Sequence, residues 1–187
     1  MRRLGTVIDV ALRAHIAWFL AEVLLNPHDP RFEGKAIPIR NLIIVGGMSM
    51  LIPALHLVRR RWPRYPVWTD VTWLSLFWLD MAGNSFDLYD TYDRFDLIPH
   101  FHGTGAAATA IAVAADLRPG PAAIAANVAH AALEVQEILT DVFAGTHNVR
   151  GPLDTIGDLT AGLLGAFAYV PLARMLRRRE GQVTSPR

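Results

Sequence analysis

The 187 residues include no cysteine, and that absence removes disulfide frameworks, thiolate nucleophiles, cysteine zinc sites and thiolate-held iron–sulfur clusters together. Any metal has to be held by histidine, carboxylate or carbonyl oxygen. Charge is scarce as well: 19% of residues are Asp, Glu, Lys or Arg, where an ordinary soluble domain carries about a quarter. A formal net charge of +1 offers no basic excess for a phosphate backbone to neutralise, so nucleic acid is not an expected partner. What fills the chain is apolar. Hydrophobic residues make up 52% and the mean hydropathy is +0.25, which points to membrane lipid as the surrounding medium.

A helix needs roughly 20 mostly apolar residues to cross about 30 Å of hydrocarbon. Six such segments are expected, near Thr6–Leu25, Ile37–Val58, Val67–Phe86, His100–Leu117, Pro121–Phe143 and Asp154–Leu176. The breaks between them are short and rich in turn residues or charge: NPHDPRFEG, RRRWPRYP and RPGP. Such short links make sequential helices antiparallel neighbours. The fold class read from this pattern is all-α, a single polytopic membrane helical bundle over residues 1–187, with a disordered basic tail from about residue 178.

Alternating the loops places eleven arginines on one side, among them Arg2, Arg3, Arg59, Arg60, Arg61, Arg64 and Arg118. The other side receives five cations: Arg31, Lys35, Arg40, Arg94 and Arg150. The positive-inside rule then puts both termini in the cytoplasm of a bacterial inner membrane. Trp62, Tyr65 and Trp68 beside the basic hairpin suit the headgroup belt. A cleaved secretory leader is not expected, because Asp9, Arg13 and His15 interrupt the first apolar run and no small-residue cleavage site follows. A soluble bundle would need polar faces, yet Leu42–Val58 and Val71–Leu79 hold no charge.

The chemistry concentrates in the second half. From Asp80 to Asp158 there are eleven acidic residues against three arginines. Several of these acids fall inside expected spans, where an ionised side chain costs a few kcal/mol or more unless it faces a partner or a wet cavity. In the fifth span Asn127, His130, Glu134, Glu137 and Asp141 share one helical stripe at spacings of three and four. Like charges so close in low dielectric have to be protonated, paired or bound to a cation. His130 one turn before Glu134 can supply two ligands to one ion.

The other spans bring matching groups. Asp80, Asn84 and Asp87 end the third, followed by a loop carrying Asp90; Asp96, His100 and His102 open the fourth; Asp154 and Asp158 open the sixth, above Ala161, Gly162 and Gly165, where helices can approach closely. In the stated orientation all four polar ends meet on the extracytoplasmic side. His100, His130, Glu134, Glu137 and Asp158 are the expected ligands of a divalent metal, with zinc, manganese, iron and magnesium all compatible. Asp141 or Asp154 would act as general base, Asp80, Asn84, Asp90, Asp96 and His102 would complete the polar site, and Arg94, Arg150 and Arg40 would hold a substrate anion.

Three readings share these residues: a structural hydrogen-bond network, a metal-dependent hydrolase acting on a lipid-embedded or periplasmic small-molecule substrate, and a proton- or cation-coupled small-solute transporter. Gly46, Gly47, Gly103 and Gly105 are expected as close-packing positions, since none belongs to a phosphate-binding pattern. Asp9 and Arg13 are spaced for an i, i+4 ion pair, and Glu22 lies near the outer end of its span.

The run DxxxN of Asp80 and Asn84, YD of Tyr89 and Asp90, DxxxHF of Asp96 to Phe101, ExxxD of Glu137 to Asp141, and DTxxDL of Asp154 to Leu159 with Gly162 and Gly165 beyond it, resembles the YjdF-like bacterial inner-membrane proteins. It is similar, more distantly, to VanZ-like proteins, which usually carry a lysine where this chain has Leu97. The likeness covers Asp80 to Phe167. It implies a multispan membrane protein and supplies no reaction.

Overall fold

The computed structural model describes residues 2–35, 37–59 and 65–180, and every regular element among them is helical. In chain order these are α1 (Arg2–Leu25), α2 (Ile37–Arg40), α3 (Leu51–Val58), α4 (Val67–Ser85), α5 (Leu88–Thr91), α6 (Leu97–Ala114), α7 (Pro119–Ala144), α8 (Pro152–Ala168) and α9 (Val170–Glu180). A π-helical segment, Asn41–Gly46, continues α2 toward α3, and a 3₁₀ turn, Pro30–Phe32, follows α1. All six expected segments are therefore helical. Arg60, Arg61, Trp62 and Arg64 of the basic hairpin lie outside the described residues, as does the tail from residue 181.

The tail reading needs correction up to Glu180. Helix α9 runs through Arg178 and Arg179, and the Glu180 carboxylate accepts the backbone N–H groups of Trp68 (3.0 Å) and Thr69 (3.1 Å). Those are orphan donors in the first turn of α4, where negative charge also suits the helix dipole. One acidic side chain thus caps a helix more than a hundred residues away, a contact that local composition cannot reveal.

Long-range contacts join the segment ends in two sets. At one end Arg59 donates to the Ala114 carbonyl (2.9 Å), Arg177 pairs with Asp116 (2.9 Å) and Glu180 caps α4. At the other, Arg31 meets the Ser85 carbonyl, Lys35 pairs with Asp90, the His147 N–H donates to the Gly34 carbonyl and Arg150 bonds the carbonyls of Tyr89 and Asp93. These pairings require an up-and-down order of the helices.

The core changes character along the chain. Around α1, α3 and α4 it is built of large side chains, including Phe19, Phe32, Ile52, Leu74, Phe77 and Met81. Around α6, α7, α8 and α9 it is alanine: Ala108, Ala123, Ala126 and Ala166 in one cluster, Ala112, Ala122 and Ala173 in another. Helix α6 packs on α4, α7, α8 and α9, which explains why its own residues are Gly, Ala and Thr. At Gly165 a Cβ would overlap the Phe101 carbonyl oxygen, and at Gly105 it would press on the Tyr169 ring. Small residues there set the separation of the helices. Gly46, Gly47 and Gly103 are not such positions; the nearest atom to an added Cβ is 3.9 Å away at Gly46 and Gly103, and none lies within 4 Å at Gly47.

Two segments are interrupted, each beside a proline. Pro53 has no N–H for the carbonyl four residues earlier, and that carbonyl, Ser49 O, instead accepts Arg13 Nη1 at 3.0 Å; Met48 O takes the Trp73 indole N–H at 2.8 Å. The α8–α9 pair bends by 45° just before Pro171. By length and hydropathy, Asn41–Val58 is the one helix among the described residues apolar enough to cross a membrane unaided, and α8 with α9 makes a second if counted as one bent span. The acids carried by α4 and α7 lower their hydropathy.

Gly165→Val should cost about 2 kcal/mol or more, since overpacking a tight contact costs roughly 1–3 kcal/mol. Gly47→Ala, with helical backbone angles and open space, should be neutral or stabilise by about 0.5 kcal/mol. Thermal unfolding of the two variants beside the parent checks both signs.

Candidate metal centre

The C-terminal halves of α4 and α7 and the N-terminal halves of α6 and α8 converge on a cavity of about 450 Å³. Its polar lining includes Asp80, Asp96, His100, His130, Glu134 and Asp158, and its apolar lining Ile44, Met48, Leu76, Phe77, Ala107 and Leu133. Seven carboxylates line it against Lys35, Arg40 and Arg150.

His100 stands at the centre. Its Nδ1 lies 2.8 Å from His130 Nε2 and 3.5 Å from Glu134 Oε1, and His130 Nε2 is 3.3 Å from that same oxygen. Four ligands about 2.0–2.1 Å from a tetrahedral ion are themselves about 3.3 Å apart, so this triangle has the dimensions of three ligand atoms around one metal. On its other edge His100 Nε2 faces Asp96 Oδ1 and Asp158 Oδ1, each at 3.7 Å. His100, His130 and Glu134 form one set that could hold a metal ion, and Asp96, His100 and Asp158 a second that shares His100.

Burial makes the sets chemically unstable as bare groups. Glu134 is 3% exposed, Asp158 5% and His130 6%. Glu134 Oε1, Asp158 Oδ1, Asp96 Oδ1 and His130 Nδ1 are each buried without a hydrogen-bond partner. Unsatisfied acceptors of this kind cost free energy unless a proton or a cation meets them, and the carboxylate and imidazole donors fit a borderline or hard divalent ion. The His130 ring is seated by α8: a Cβ at Gly162 would overlap its Nδ1. The glycine expected to let helices approach does so, and the room it leaves is taken by the His130 ring of α7 and the Thr104 hydroxyl of α6.

Glu137, one of the expected ligands, is placed differently. It and Asp80 both pair with Arg40, whose Nη1 is 3.2 Å from Glu137 Oε1 and whose Nη2 is 3.2 Å from Asp80 Oδ2. Tyr89 donates its hydroxyl to Asp80 Oδ1 at 3.0 Å, and its ring and that of Phe95 pack over Gly83. One turn of helix carries Glu137 past the His100 cluster toward the π-helical segment that begins just after Arg40. Arg40 was expected to hold a substrate anion; its partners are the protein's own carboxylates.

Asp141 is not placed as a base either. Thr146 Oγ1, the Asn148 side chain and the backbone N–H groups of Asn148 and Val149 all donate to it, at 2.6 to 2.9 Å. It organises the loop that follows Gly145, whose positive φ of 68° ends α7. Asp154 lines the cavity, but one of its oxygens accepts the Arg150 N–H at 2.9 Å.

His102 points away from the cluster, between Ser75 Oγ (2.9 Å) and the Tyr169 hydroxyl (2.6 Å), because two residues along a helix is a rotation of about 200° from His100. Arg94 is exposed and off the cavity wall, and Arg150 spends its guanidinium on backbone carbonyls. Neither is a free anion clamp. Asn84 lines the cavity and donates to the Asp80 carbonyl at 3.0 Å. Asp90 sits at the rim, where a hydrogen bond from Lys35 holds its carboxyl below the usual range. Glu22 pairs with Arg31 at 3.0 Å, and Asp29 is drawn down to about 2 by hydrogen bonds from the same arginine.

Comparison with protein families, curated proteins and solved structures gives no match for the chain.

Arg40→Met should destabilise the fold by about 3 kcal/mol, the lower end of the cost of removing one partner of a buried pair, since a fifth of the Arg40 side chain remains accessible. Arg94→Ala should stay within about 0.5 kcal/mol of the parent. Equal effects of the two substitutions on unfolding temperature would contradict the assignment of Arg40 as the internal counterion.

Proposed function

We propose that the protein is a divalent-metal-dependent hydrolase of the bacterial inner membrane, with six spans, both termini in the cytoplasm and the metal site opening toward the outer face. The observation that carries this reading is the triangle of His100, His130 and Glu134, flanked by the unpartnered Asp158 and Asp96. A divalent ion held there would act as Lewis acid and lower the pKa of a bound water. The chain's own part is to hold the ion through the two imidazoles and Glu134. Asp158 or Asp96, on the far edge of His100, would then accept a proton at Oδ1, the role first assigned to Asp154 and Asp141 from sequence.

Support for the membrane setting comes from the outer surface. Side chains such as Val10, Trp18, Ile43, Val128, Val142 and Leu164 are exposed along four different helical segments, and extensive exposed apolar surface marks contact with a membrane or a partner. The two sets of end-to-end contacts also coincide with the two sides that the arginine asymmetry defines.

A proton- or cation-coupled transporter is the second reading, and one observation favours it. At the opposite end of α1 and α4, Asp70 is buried against Arg13 and Tyr65, with Asp9 3.5 Å from the same arginine. A carrier working by alternating protonation would have ionisable groups at both depths.

Metal analysis of the detergent-purified protein separates the two. About one equivalent of zinc, manganese or iron is expected, lost in Glu134→Ala and retained in Asp141→Asn. Protein that stays metal-free after incubation with each ion, while supporting pH-dependent solute uptake in vesicles, would replace the hydrolase with the carrier.

A further inference from the structure

The cavity has two chemistries: beside its rim at Asp90 and Arg150, both exposed, it is also lined by exposed apolar side chains. Met48 and Leu133 both line it, yet they are 39% and 49% exposed. They stand on opposite rims, one on the turn between the π-helical segment and α3 and the other on α7. Ala129, one turn before Leu133, also lines the cavity and is exposed. Above this gap the Arg40–Glu137 ion pair closes the space between the same two segments. The surface around the opening is apolar, with Ile43, Val128 and Val135 exposed on its flanks. A ligand arriving from this side would meet a hydrophobic doorway.

Inside, the apolar lining of Ile44, Leu76, Phe77 and Ala107 accompanies the polar lining of His100, His130 and Glu134. About 450 Å³ is within the roughly 300–1,000 Å³ of small-molecule sites. The charge balance restricts the polar end further. Counted as fully ionised, seven carboxylates against three cations leave four formal negative charges in excess, and one divalent ion formally offsets two of them. An anionic head group would be repelled.

We infer that the site takes an amphiphile from the lipid phase through the side opening between Met48 and Ala129–Leu133, with an uncharged or cationic ester- or amide-type head at His100, His130 and Glu134 and its chain against Ile44, Leu76 and Phe77. This rests on the proposed metal site for the head group, but not for the doorway. It narrows the substrate from lipid-embedded or periplasmic to lipid-embedded, and excludes phosphate-headed lipids.

Trp73 lines the same cavity and is buried, so it reports on a chain entering there. The experiment titrates the full-length, metal-loaded protein in detergent with a monoacylglycerol brominated on its chain, and takes the fluorescence difference between the parent and Trp73→Phe as the Trp73 signal. Saturable quenching of that signal is expected, at least tenfold weaker for the alkyl phosphate of equal chain length. Ala129→Phe, a change at an exposed helix position, should weaken quenching tenfold or more while metal content and unfolding temperature stay at parental values. Undiminished quenching in Ala129→Phe, or tighter binding of the phosphate, overturns the inference. One equivalent of metal without Trp73 quenching ends the doorway but spares the hydrolase; quenching in a protein that binds no metal does the reverse.

Discussion

The structure depends on one constraint: carboxylates withdrawn from water have to be neutralised, and this chain supplies too few bases to do it. Where a base is at hand, the acid is built into a pair. Arg40 takes Asp80 and Glu137, Arg13 takes Asp70 and Asp9, Arg31 takes Glu22 and Asp29, and Lys35 takes Asp90. Around His100 no such cation is supplied, and three buried carboxylate oxygens there lack a hydrogen-bond partner, Glu134 Oε1, Asp158 Oδ1 and Asp96 Oδ1, against two beside Arg13, Asp9 Oδ1 and Asp70 Oδ1. Four cations placed against seven other acids make that remainder informative, because a fold able to do this was not short of ways to place one more.

Packing and chemistry meet in the small residues. Alanine layers between α6, α7 and α8 bring the helices close enough for side chains on three of them to meet at His100. Gly162 then opens a notch in α8 for the His130 ring, and Gly165 lets α8 touch the backbone of α6 at Phe101. The large-residue core lies around α1, α3 and α4, and the cavity takes its lining from both parts of the chain, Ile44, Trp73 and Phe77 from one and His100, His130 and Glu134 from the other.

Much of this was legible in the sequence, for reasons that also mark where legibility ends. That the six segments are helical follows from apolar runs and Pro/Gly breaks, which are local; the interruptions that divide two of them, at Ser49 and Met50 and at Tyr169, were not expected from that pattern. The stripe of His130 and Glu134 and the one-turn spacings of Asp96 to His100 and Asp154 to Asp158 follow from helical periodicity, which is also local, and His100, His130, Glu134 and Asp158 do converge. Periodicity gave Glu137 and Asp141 the same standing as Glu134, since all lie on one face. Their fates diverged through partners far away in sequence: Arg40 is 97 residues from Glu137, and the loop donors to Asp141 depend on the turn at Gly145. His102 was grouped with His100 by proximity along the chain, although two residues of helix turn it to the far side. Arg40 carried the one usable signal that was underweighted, a lone cation beside an otherwise apolar run that has to find a carboxylate.

Helix α4 ties these features into one mechanical unit. At its start Asp70 engages Arg13 of α1 and its first amides are capped by Glu180 of α9; ten residues later Asp80 engages Arg40 and Tyr89. Between them Trp73 anchors the turn before α3 through the Met48 carbonyl, and Ser75 contacts His102 of α6. The segment carrying Arg40 is thus fastened to α4 at two heights, once through its guanidinium and once through a carbonyl freed by an irregular turn. A hydrogen-bonded strut of this kind fixes the position of residues 37–48 relative to α4 while leaving the side toward α7 joined chiefly by the Arg40–Glu137 pair. Any widening of the cavity therefore has least to break on the α7 side, which Ala129 and Leu133 line.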